Sequence, residues 1–433
     1  MNKTEAEDFI YKSYLKAEKA QRFEDKDANK RHPELSRAIL RELSHTPALV
    51  VTGSKGKGSV ANMIASILQT QLRVGLMTSP HIIDFCERFR INNTIIPEQD
   101  FIDQVQQIAP IFEKIDKEIP SNVAISPMAI QAAIALSYFN KKETQFNIFE
   151  CGKGAQFDDV TNVKHNYAVI NTIFLEHTRE LGYTLEQIAE DKAHVITGEQ
   201  KCVYIAEQAP SVMEVIRTFA AKNHTPLKIY GRDFYAKNIR YTHRGMLFDV
   251  VIGIITYKDI LVPLLGEHQT KNCALAWAIA SDILGDFDIQ NAKANLATLQ
   301  WPGRMEILQN EPLVMLDACI NRASCKNIKD VLQHLKINKC CTIVGIPDDK
   351  DYIGVVQEMQ EVSDTLILTK SQNPHYKFSP VQSERLAQQG IRTQWTYSLP
   401  EAVNIAKATR LPIVILGTTS VVAEVEVLFK SEQ

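Results

Sequence analysis

Continuous apolar runs that alternate with longer helical patterns constrain the fold of this chain more than any other feature. Five runs in the first half read as buried strands, each ending on small or polar residues: ALVVTG, VGLMTS, FNIFECG, YAVINT and CVYIAE. Between them, SVANMIASILQTQL and PMAIQAAIALSYFNK carry apolar residues at helical spacing. Repeated strand–helix units predict a doubly wound parallel α/β sheet, with its ligand crevice at the carboxyl ends of the strands.

The sequence predicts two domains. Its 433 residues exceed what one hydrophobic core normally holds. Residues 228–265 contain short alternating runs that predict an antiparallel excursion, and Trp301-Pro302-Gly303 is typical of a link between domains. Further strand-like runs follow: LVMLDA, CCTIVGI, TLILTK and IVILGTT. We therefore expect a large N-terminal P-loop-type domain over 1–298 and a smaller Rossmann-like α/β domain over 299–433.

Composition excludes several classes of protein. A net charge of −3 gives no support for general binding to nucleic acid or to an anionic membrane. The apolar run VVIGIIT is far shorter than the roughly 20 residues that span a bilayer, and the acidic, polar start does not resemble a signal peptide. The eight scattered cysteines include no C-x-x-C pair, which favours reduced thiols over a disulfide framework. We expect a soluble cytoplasmic protein without nucleic-acid or membrane partners.

The stretch TGSKGKGSVAN at 52–62 lies between a predicted strand and a predicted helix. It does not match the Walker spacing, because the first glycine of that pattern would fall on Val51 and Gly58 separates Lys57 from Ser59. A glycine-rich turn at this position still brings backbone N–H groups and the positive end of a helix together. Lys57 can reach outer phosphates, and the Ser59 hydroxyl can reach a bound Mg²⁺. From the loop alone, a phosphate site and an ordinary turn with solvated lysines are both open.

Polar side chains follow three other predicted strands at their carboxyl ends. Ser79 and His81 follow VGLM, Glu150 ends FNIFE, and His177 lies just beyond the fourth run. Because the carboxyl ends of parallel strands share one rim, a hydroxyl, a carboxylate and an imidazole converge there beside the glycine loop. Such a set is a reasonable Mg²⁺ site next to a nucleotide. Taken singly, Ser79 is also typical of a turn, Glu150 of a helix or strand cap, and His177 of a loop.

The order of motifs is similar to that of a known family. GSKGKGS, TSPH…ERFRIN, ECGKGAQFDDVTNV, LEHTRELGYTLEQIAEDKA, LLGEHQTKNCALA, WPGRMEIL, DDKD and ILGTTSVVAEVEVLF extend over nearly the whole chain. Together they resemble the folylpolyglutamate synthase/dihydrofolate synthase family of Mur-type ligases. The resemblance implies a two-domain Mur-ligase-like fold and an ATP-dependent ligation. In that reaction a carboxylate attacks the γ-phosphate of ATP, and an amine then displaces phosphate from the acyl phosphate. Most relatives add glutamate to a folate.

The resemblance also implies roles for individual positions. ATP would be bound by Gly53, Ser54, Lys55, Gly56, Lys57, Gly58, Ser59, Asn272, Arg304 and Asp317. Mg²⁺ would be held by Ser59, Ser79, Glu150, His177 and Lys192, and the catalytic set would be Lys57, Glu150, His177 and Lys192. The substrate side would comprise His81, Asp158, Asn321 and Arg322. In many members the lysine matching Lys192 is carbamylated; without the resemblance it would be a helix-surface lysine. A monovalent cation is a further candidate cofactor, and a monomer is expected.

The chain departs from the family clearly at two segments and more mildly in the glycine loop, where Ser54-Lys55 replaces Thr-Asn and adds a cation. Where the family shows D-G-A-H-N-P, this chain reads DACINRA, so that Ile320 replaces a histidine and Arg322 a proline. Isoleucine offers no polar contact, whereas Arg322 either binds an anionic substrate or is a surface arginine. The segment GKGAQFDDVTN is one residue longer than its family counterpart, with Ala155 and Gln156 replacing glycine and arginine. The ATP-side positions are thus retained, and the substrate-side positions differ.

Three functions are therefore open at the level of sequence. The first is a ligase that adds L-glutamate to a folate. The second is a divergent paralogue that ligates an amino acid to a non-folate carboxylate. The third is a catalytically impaired nucleotide-binding protein that acts through partners. A dinucleotide-dependent oxidoreductase is disfavoured, because the first loop lacks the G-x-G-x-x-G arrangement.

Overall fold

Two units, each assembled from segments that are separate in the sequence, make up the chain. The structure is a computed structural model that describes residues 1–18 and 31–430. The first unit comprises Met1–Lys237, Asp249–Ile260 and Lys271–Ala297. The second comprises Asn238–Phe248, Leu261–Thr270 and Thr298–Gln433.

A mixed eight-stranded sheet forms the centre of the first unit. Its strands are β1 (Ala48–Thr52), β2 (Val74–Met77), β3 (Phe89–Ile91), β4 (Thr94–Ile95), β5 (Phe146–Glu150), β6 (Tyr167–Ile170), β7 (Cys202–Ile205) and β8 (Leu227–Ile229). They lie in the order β4-β3-β2-β5-β1-β6-β7-β8; the β2–β3 and β3–β4 pairs are antiparallel, and the other pairs are parallel. β1, β2, β5 and β7 are buried along their whole length, which explains their continuous apolar sequences. The α/β fold predicted from the alternation is confirmed.

Helices connect the parallel strands and supply much of the apolar core around them. They are α1 (Lys3–Glu18), α2 (Glu34–Leu43), α3 (Lys57–Leu68), α4 (Glu98–Glu118), α5 (Pro127–Lys141), α6 (Thr178–Leu181), α7 (Leu185–Ala193), α8 (Pro210–Lys222), α9 (Glu267–Leu284) and α10 (Ile289–Ala297), with 3-10 helices at Phe85–Arg88 and Asp159–Asn162. α5 begins where the sequence predicts. The Ser126 hydroxyl accepts a hydrogen bond from the Met128 N–H, and Pro127 occupies the first turn, where no N–H is needed.

A three-stranded sheet contains β9 (Phe234–Thr242), β10 (Gly245–Ile252) and β11 (Ile255–Val262) in the order β11-β10-β9. Two-residue connections join successive strands, as in antiparallel hairpins. The predicted excursion over 228–265 therefore exists, but its first residues were assigned wrongly. Leu227–Ile229 is β8, which pairs parallel to β7 in the large sheet. Its apolar residues alternate with Lys228, and this short alternation cannot distinguish a sheet-edge strand from a hairpin strand.

The second unit contains a six-stranded sheet with one antiparallel edge. Its strands are β12 (Glu306–Asn310), β13 (Leu313–Asp317), β14 (Cys340–Gly345), β15 (Ser363–Leu368), β16 (Gln394–Trp395) and β17 (Ile413–Gly417), in the order β12-β13-β17-β14-β15-β16. β12 pairs antiparallel with β13, and the other pairs are parallel. The helices after Ala297 are α11 (Arg322–His334), α12 (Tyr352–Met359), α13 (Val381–Ala387), α14 (Leu399–Ala408) and α15 (Thr419–Lys430).

Candidate active site

The glycine loop after β1 is the first element of the candidate site. β1 ends at Thr52, and α3 begins at Lys57 with Gly56 as its N-cap. Gly53 and Gly56 have φ angles of 136° and 78°. A Cβ on Gly53 would lie 2.8 Å from the Cβ of Asn171, so only glycine fits where the loop passes the end of β6. The loop leads into the N-terminus of a buried helix, the end at which anions bind.

Ser59, in the first turn of α3, carries a buried hydroxyl. The residue is 1% exposed, and its Oγ has no hydrogen-bond partner among the described residues. Leaving a buried hydroxyl unbonded costs roughly 1–3 kcal/mol, so native proteins rarely do so without a reason. A ligand oxygen or a hard cation at the helix N-terminus would satisfy this hydroxyl. The donor set is therefore suited to a phosphate–magnesium group.

Two lysines meet at one carbonyl of the glycine loop. Lys57 Nζ and Lys192 Nζ each donate to the Gly53 carbonyl oxygen at 3.0 Å. Lys192 also forms a 3.0 Å ion pair with Glu176, and its side chain is 1% exposed. Burial, followed by the positive charge of Lys57, lowers the pKa of Lys192, whereas Glu176 opposes that shift. The interpretation of Lys192 as a helix-surface lysine is therefore wrong, and the structure brings two of the predicted catalytic residues together.

Ser79 and Glu150 meet at the carboxyl ends of neighbouring strands. β2 and β5 pair in parallel, and Ser79 lies two residues beyond the end of β2. The Ser79 N–H donates to Glu150 Oε2 at 3.0 Å, and Glu150 is 5% exposed. A buried carboxylate held by a backbone N–H keeps a fixed orientation. These two predicted positions thus lie together on the rim where the sequence predicts them.

His177 lies at the start of the short helix α6. Its φ of 46° is left-handed, and it follows Glu176, the partner of Lys192. Burial is the largest cause that lowers the pKa of His177, against the opposing charge of Glu176. The lowered pKa favours the neutral imidazole, which is the form that binds metals.

Asn272, on α9, lies against the glycine loop. A Cβ on Gly56 would come 3.1 Å from its amide nitrogen. Asn171 links the two, because its amide donates to the Lys55 carbonyl at 2.9 Å and to Asn272 Oδ1 at 3.2 Å. Sequence reasoning missed Asn171, although it stands at the carboxyl end of the YAVI strand, where a ligand rim is expected.

Ser54 and Gly58, the remaining loop positions, are both buried. The Ser54 hydroxyl accepts from the Phe174 N–H at 3.1 Å and donates to the Phe174 carbonyl at 3.2 Å. These bonds fix the loop after β1 to the loop after β6. Ser54 therefore acts on the loop's shape through its side chain.

His81 pairs with Arg88 rather than with the glycine loop. Arg88 Nε donates to His81 Nδ1 at 2.9 Å, and Arg88 Nη1 donates to Gln131 Oε1 at 2.6 Å. Burial and the Arg88 charge lower the pKa of His81 to about 4. Arg88 was not singled out from the sequence, where the ERFRIN motif was the available signal. An acceptor Nδ1 leaves Nε2–H as the donating face of the His81 ring.

Asp158 holds its own loop together. Its Oδ2 accepts from the N–H groups of Gly152 (2.8 Å) and Lys153 (3.2 Å), and its Oδ1 accepts from the Val160 N–H at 3.0 Å. The residue is 1% exposed, and burial raises its pKa against the three backbone bonds. Both carboxylate oxygens are thus engaged with the backbone, which makes Asp158 a positioning residue of the loop after β5. Next to it, burial raises the pKa of Asp159 to about 6.

Arg304 and Asp317 form part of one network in the second unit. Asp317 Oδ2 accepts from the Met305 N–H at 2.9 Å, and the residue is 3% exposed. The Arg304 guanidinium donates to the Gly303 carbonyl at 3.0 Å, which also accepts from the Ala318 N–H at 2.9 Å. The end of β13 and the turn before β12 are therefore held together around the two predicted residues.

The divergent DACINRA segment forms the start of α11. Asn321 is the N-cap, and its Oδ1 accepts from the Ser324 N–H at 2.9 Å. Arg322 Nε lies 3.1 Å from Glu358 Oε2, with the Arg322 side chain 55% exposed. Arg322 therefore has an anionic partner within the chain, and Asn321 has a capping role. Ile320 immediately precedes the cap and is half-buried.

Metal-binding clusters, cysteines and apolar helices were also considered across the described residues. Across the described ranges, no three His, Cys, Asp or Glu side chains come together as a metal-binding group. The expected Mg²⁺ set, by contrast, includes a serine hydroxyl and a modified lysine. All eight cysteines are free and buried, which confirms the prediction of unpaired thiols. In the part of the chain that the structure describes, no helix is both long and apolar enough to cross a bilayer.

Comparisons with known proteins agree on one group. The family model "Mur ligase middle domain" matches residues 51–280. The dihydrofolate synthase/folylpolyglutamate synthase of Bacillus subtilis is 30% identical over 73% of this chain and 74% of its own length. The folylpolyglutamate synthase of Lacticaseibacillus casei is 26% identical over 85% and 86%. Mycobacterium tuberculosis folylpolyglutamate synthase, solved in complex with ADP and AMPPCP, superposes with a TM-score of 0.85 at 25% identity, covering 92% of this chain and 95% of that one.

The two α/β units, the glycine loop and the matched middle domain define a Mur-type ligase. Within that class, the chain belongs to the folylpolyglutamate synthase/dihydrofolate synthase family. It is therefore an enzyme of the ATP-dependent ligase type, and the resemblance identified from the motifs is confirmed.

Proposed function

We propose that this enzyme joins L-glutamate to a folate at the expense of ATP, through an acyl phosphate. The observation that carries the proposal is the glycine loop of 53–59, which leads into a buried helix whose Ser59 hydroxyl has no hydrogen-bond partner among the described residues. An N-terminal helix end with such a hydroxyl suits phosphate oxygens and their counter-ion. Relatives named for folate glutamylation, and one solved with ADP and AMPPCP, support the same nucleotide and substrates.

The nucleotide would lie on the loop of 53–59, with Asn272, Arg304 and Asp317 as further contacts. Lys57 Nζ rests on the neutral Gly53 carbonyl and can move onto the transferred phosphate without breaking an ion pair. In phosphoryl transfer, positioning and charge neutralisation supply most of the rate enhancement. Lys57 would therefore stabilise the charge that builds up on the transferred phosphoryl group.

Mg²⁺ would be held by Ser59, Ser79, Glu150, His177 and Lys192. Bound there, the cation would neutralise phosphate charge. The chain's own part is orientation, since Glu150 is fixed by the Ser79 N–H and burial favours the neutral His177 imidazole. Lys192 could serve only as a carbamate, because an ammonium group has no lone pair for a metal. Carbamylation would therefore remove the ion pair that Lys192 forms with Glu176.

The acceptor and the amine would bind beyond the phosphates. His81, whose Nδ1 accepts from Arg88, would offer its Nε2–H to the acceptor, and Asp158 would shape the loop beside it. The enzyme would act as a monomer on small-molecule substrates in the cytoplasm. An acyl phosphate is rapidly lost to water, so these loops must keep solvent away from it until the amine attacks.

A second function is favoured by one observation. Ile320 stands where the family has a histidine, and Arg322, the other new residue, is paired with Glu358. The segment that the family uses near the incoming amino acid therefore offers different chemistry here. A ligase that uses another carboxylate or another amino acid would keep the same ATP residues.

One experiment separates these functions. Purified protein is incubated with Mg²⁺-ATP, glutamate and a panel of folates, with phosphate release and product mass followed together. Glutamylated folate is the expected product. ADP formed only with another acceptor or amine would instead support the paralogue. ATP binding without any substrate-dependent turnover would support an impaired nucleotide-binding protein.

Restoring the family histidine tests the divergent segment. We expect Ile320→His to raise kcat/KM for folate glutamylation by about tenfold, the value of one hydrogen bond to a charged group. The measurement is the initial rate at varied glutamate. Ile320→Leu, which conserves volume without adding a polar group, is the matched control and should leave the rate unchanged. A histidine variant with wild-type kinetics and wild-type stability would show that this position does not limit the reaction.

A further inference from the structure

Asn171 is held in a fixed orientation at the end of β6. It follows Ile170, the last residue of that strand, and is 2% exposed. Its main-chain N–H donates to the Thr52 carbonyl at 2.9 Å, and its main-chain carbonyl accepts from Gln208 Nε2 at 3.0 Å. Its side-chain Oδ1 accepts from the Thr172 N–H at 2.9 Å. Because a backbone N–H holds the amide oxygen, the Nδ2 end is the donor that faces the glycine loop.

The Asn171 Nδ2 group donates to two oxygen atoms. One bond runs to the Lys55 carbonyl at 2.9 Å and the other to Asn272 Oδ1 at 3.2 Å. Turning the amide over would set its oxygen against these two oxygens and lose both bonds. All three residues belong to the first unit, so the arrangement is complete within that unit. Asn171 therefore links the glycine loop to α9.

The bond to the Lys55 carbonyl sets the direction of the next N–H group. In a planar trans peptide, the carbonyl and the following N–H point in opposite directions. Because the Lys55 carbonyl faces Asn171, the Gly56 N–H faces the other way. Gly56 is the N-cap of α3 with a left-handed φ of 78°, and Lys57 after it is helical. A left-handed residue beside a helical one turns successive N–H groups toward one anion-binding concavity.

Gly56 leaves the space that the Asn171 amide occupies. A Cβ on Gly56 would lie 2.7 Å from Asn171 Nδ2, which is too close for the two atoms to coexist. Glycine at this position therefore lets the amide approach the loop closely enough to bind the Lys55 carbonyl. Asn171 thus supports the side of the loop that lies opposite to the Gly56 N–H.

We propose that Asn171 is a positioning residue for phosphate binding, acting through the Lys55–Gly56 peptide of the glycine loop. By holding the Lys55 carbonyl, Asn171 directs the Gly56 N–H toward the phosphates before the nucleotide arrives. A donor that is already oriented costs less ordering on binding than one that must first be turned. The inference rests on the proposed function, because it takes the loop of 53–59 as the phosphate site. It requires no contact from the second unit.

The test is the affinity of the full chain for the Mg²⁺ complex of AMPPCP, measured by titration calorimetry. We expect Asn171→Ala to weaken binding by about tenfold, the value of one hydrogen bond to a charged group. Asn171→Leu retains the side-chain volume without a donor and should lose affinity to the same extent. Asn171→Ser retains one donor and should lose only about threefold. Wild-type affinity in both the alanine and the leucine variants would overturn the inference and leave the proposed function intact.

Gln208→Ala is the matched control for general stability. Gln208 Nε2 donates to the Asn171 carbonyl and its Oε1 accepts from the Ile173 N–H at 2.9 Å, so both contacts lie outside the glycine loop. Its removal should lower the melting temperature, as Asn171→Ala does, but leave the affinity for AMPPCP within about twofold of wild type. If Asn171 acted on stability alone, the two variants would bind AMPPCP equally well below their melting temperatures, and the inference would fail.

Competition by inorganic tripolyphosphate locates the effect along the nucleotide. Tripolyphosphate has no base or ribose, so its displacement of AMPPCP depends on phosphate contacts. In Asn171→Ala we expect its inhibition constant to rise by the same factor as the dissociation constant of AMPPCP. An unchanged tripolyphosphate constant beside a weakened AMPPCP affinity would contradict the inference, because the effect would then lie at the nucleoside. Absence of AMPPCP binding by wild type would instead refute the proposed function.

Discussion

Lys57→Ala is expected to lower kcat/KM for ATP-dependent ligation by about a thousandfold, the effect of removing one transition-state charge partner. The alanine variant should keep its fold, because the hydrogen bond that Lys57 Nζ makes among the described residues is a part-buried one to the Gly53 carbonyl. Phosphate release under single-turnover conditions measures the chemical step directly. The loss should appear mainly in kcat, since Lys57 is expected to act on charge that develops during transfer.

The control for this variant is Lys201→Ala. Lys201 is exposed at the start of β7, and its removal deletes the same charge away from the glycine loop. It should retain wild-type turnover. Normal activity in Lys57→Ala would contradict the assignment of the loop as the phosphate site. A Lys57→Ala protein with a melting temperature far below that of wild type would point to a structural role.

Asp158→Ala is expected to destabilise the fold by about 3 kcal/mol or more, because three backbone N–H groups lose a buried acceptor at once. Urea unfolding measured by far-ultraviolet circular dichroism gives the free energy. Asp158→Asn retains one acceptor oxygen and should lose about half as much. Comparison of the two variants therefore separates loss of the three backbone hydrogen bonds from loss of the negative charge.

A different result is expected if Asp158 acts on the substrate rather than on stability. If the carboxylate contacts substrate, as the family resemblance implies, KM for the acceptor should rise in Asp158→Ala while the free energy of unfolding stays unchanged. The structure favours the effect on stability, since both oxygens of Asp158 are already bonded to its own loop.

Local sequence patterns predicted the elements that position the site. Continuous apolar runs identify strands such as β1 and β5, because both faces of a parallel sheet are buried. The rim position of Ser79 and Glu150 followed from strand direction alone, and the structure places them 3.0 Å apart through the Ser79 N–H. Neither prediction needed the long-range packing of the chain.

Features that depend on distant residues were not predictable in the same way. From its local sequence alone, Lys192 was interpreted as a surface lysine, because the sequence of its helix does not indicate the contacts with Glu176 and Gly53. Asp158 was assigned to the substrate side from the family resemblance; its hydrogen bonds to backbone N–H groups of its own loop were not foreseen, because such bonds leave no trace in side-chain patterns.

The Gly53 carbonyl accepts hydrogen bonds from both Lys57 and Lys192. A neutral oxygen accepts from two ammonium groups, and among the described residues Glu176 forms an ion pair with one of them, that of Lys192. At Lys57, an arriving polyanion would therefore compete with a carbonyl dipole, and exchanging that dipole for a charged oxygen is favourable. If the loop is the phosphate site, negative charge alone would be enough for a ligand to engage Lys57. Inorganic pyrophosphate or sulfate would compete for the same lysine, and the apparent affinity for ATP would depend on the anions of the buffer.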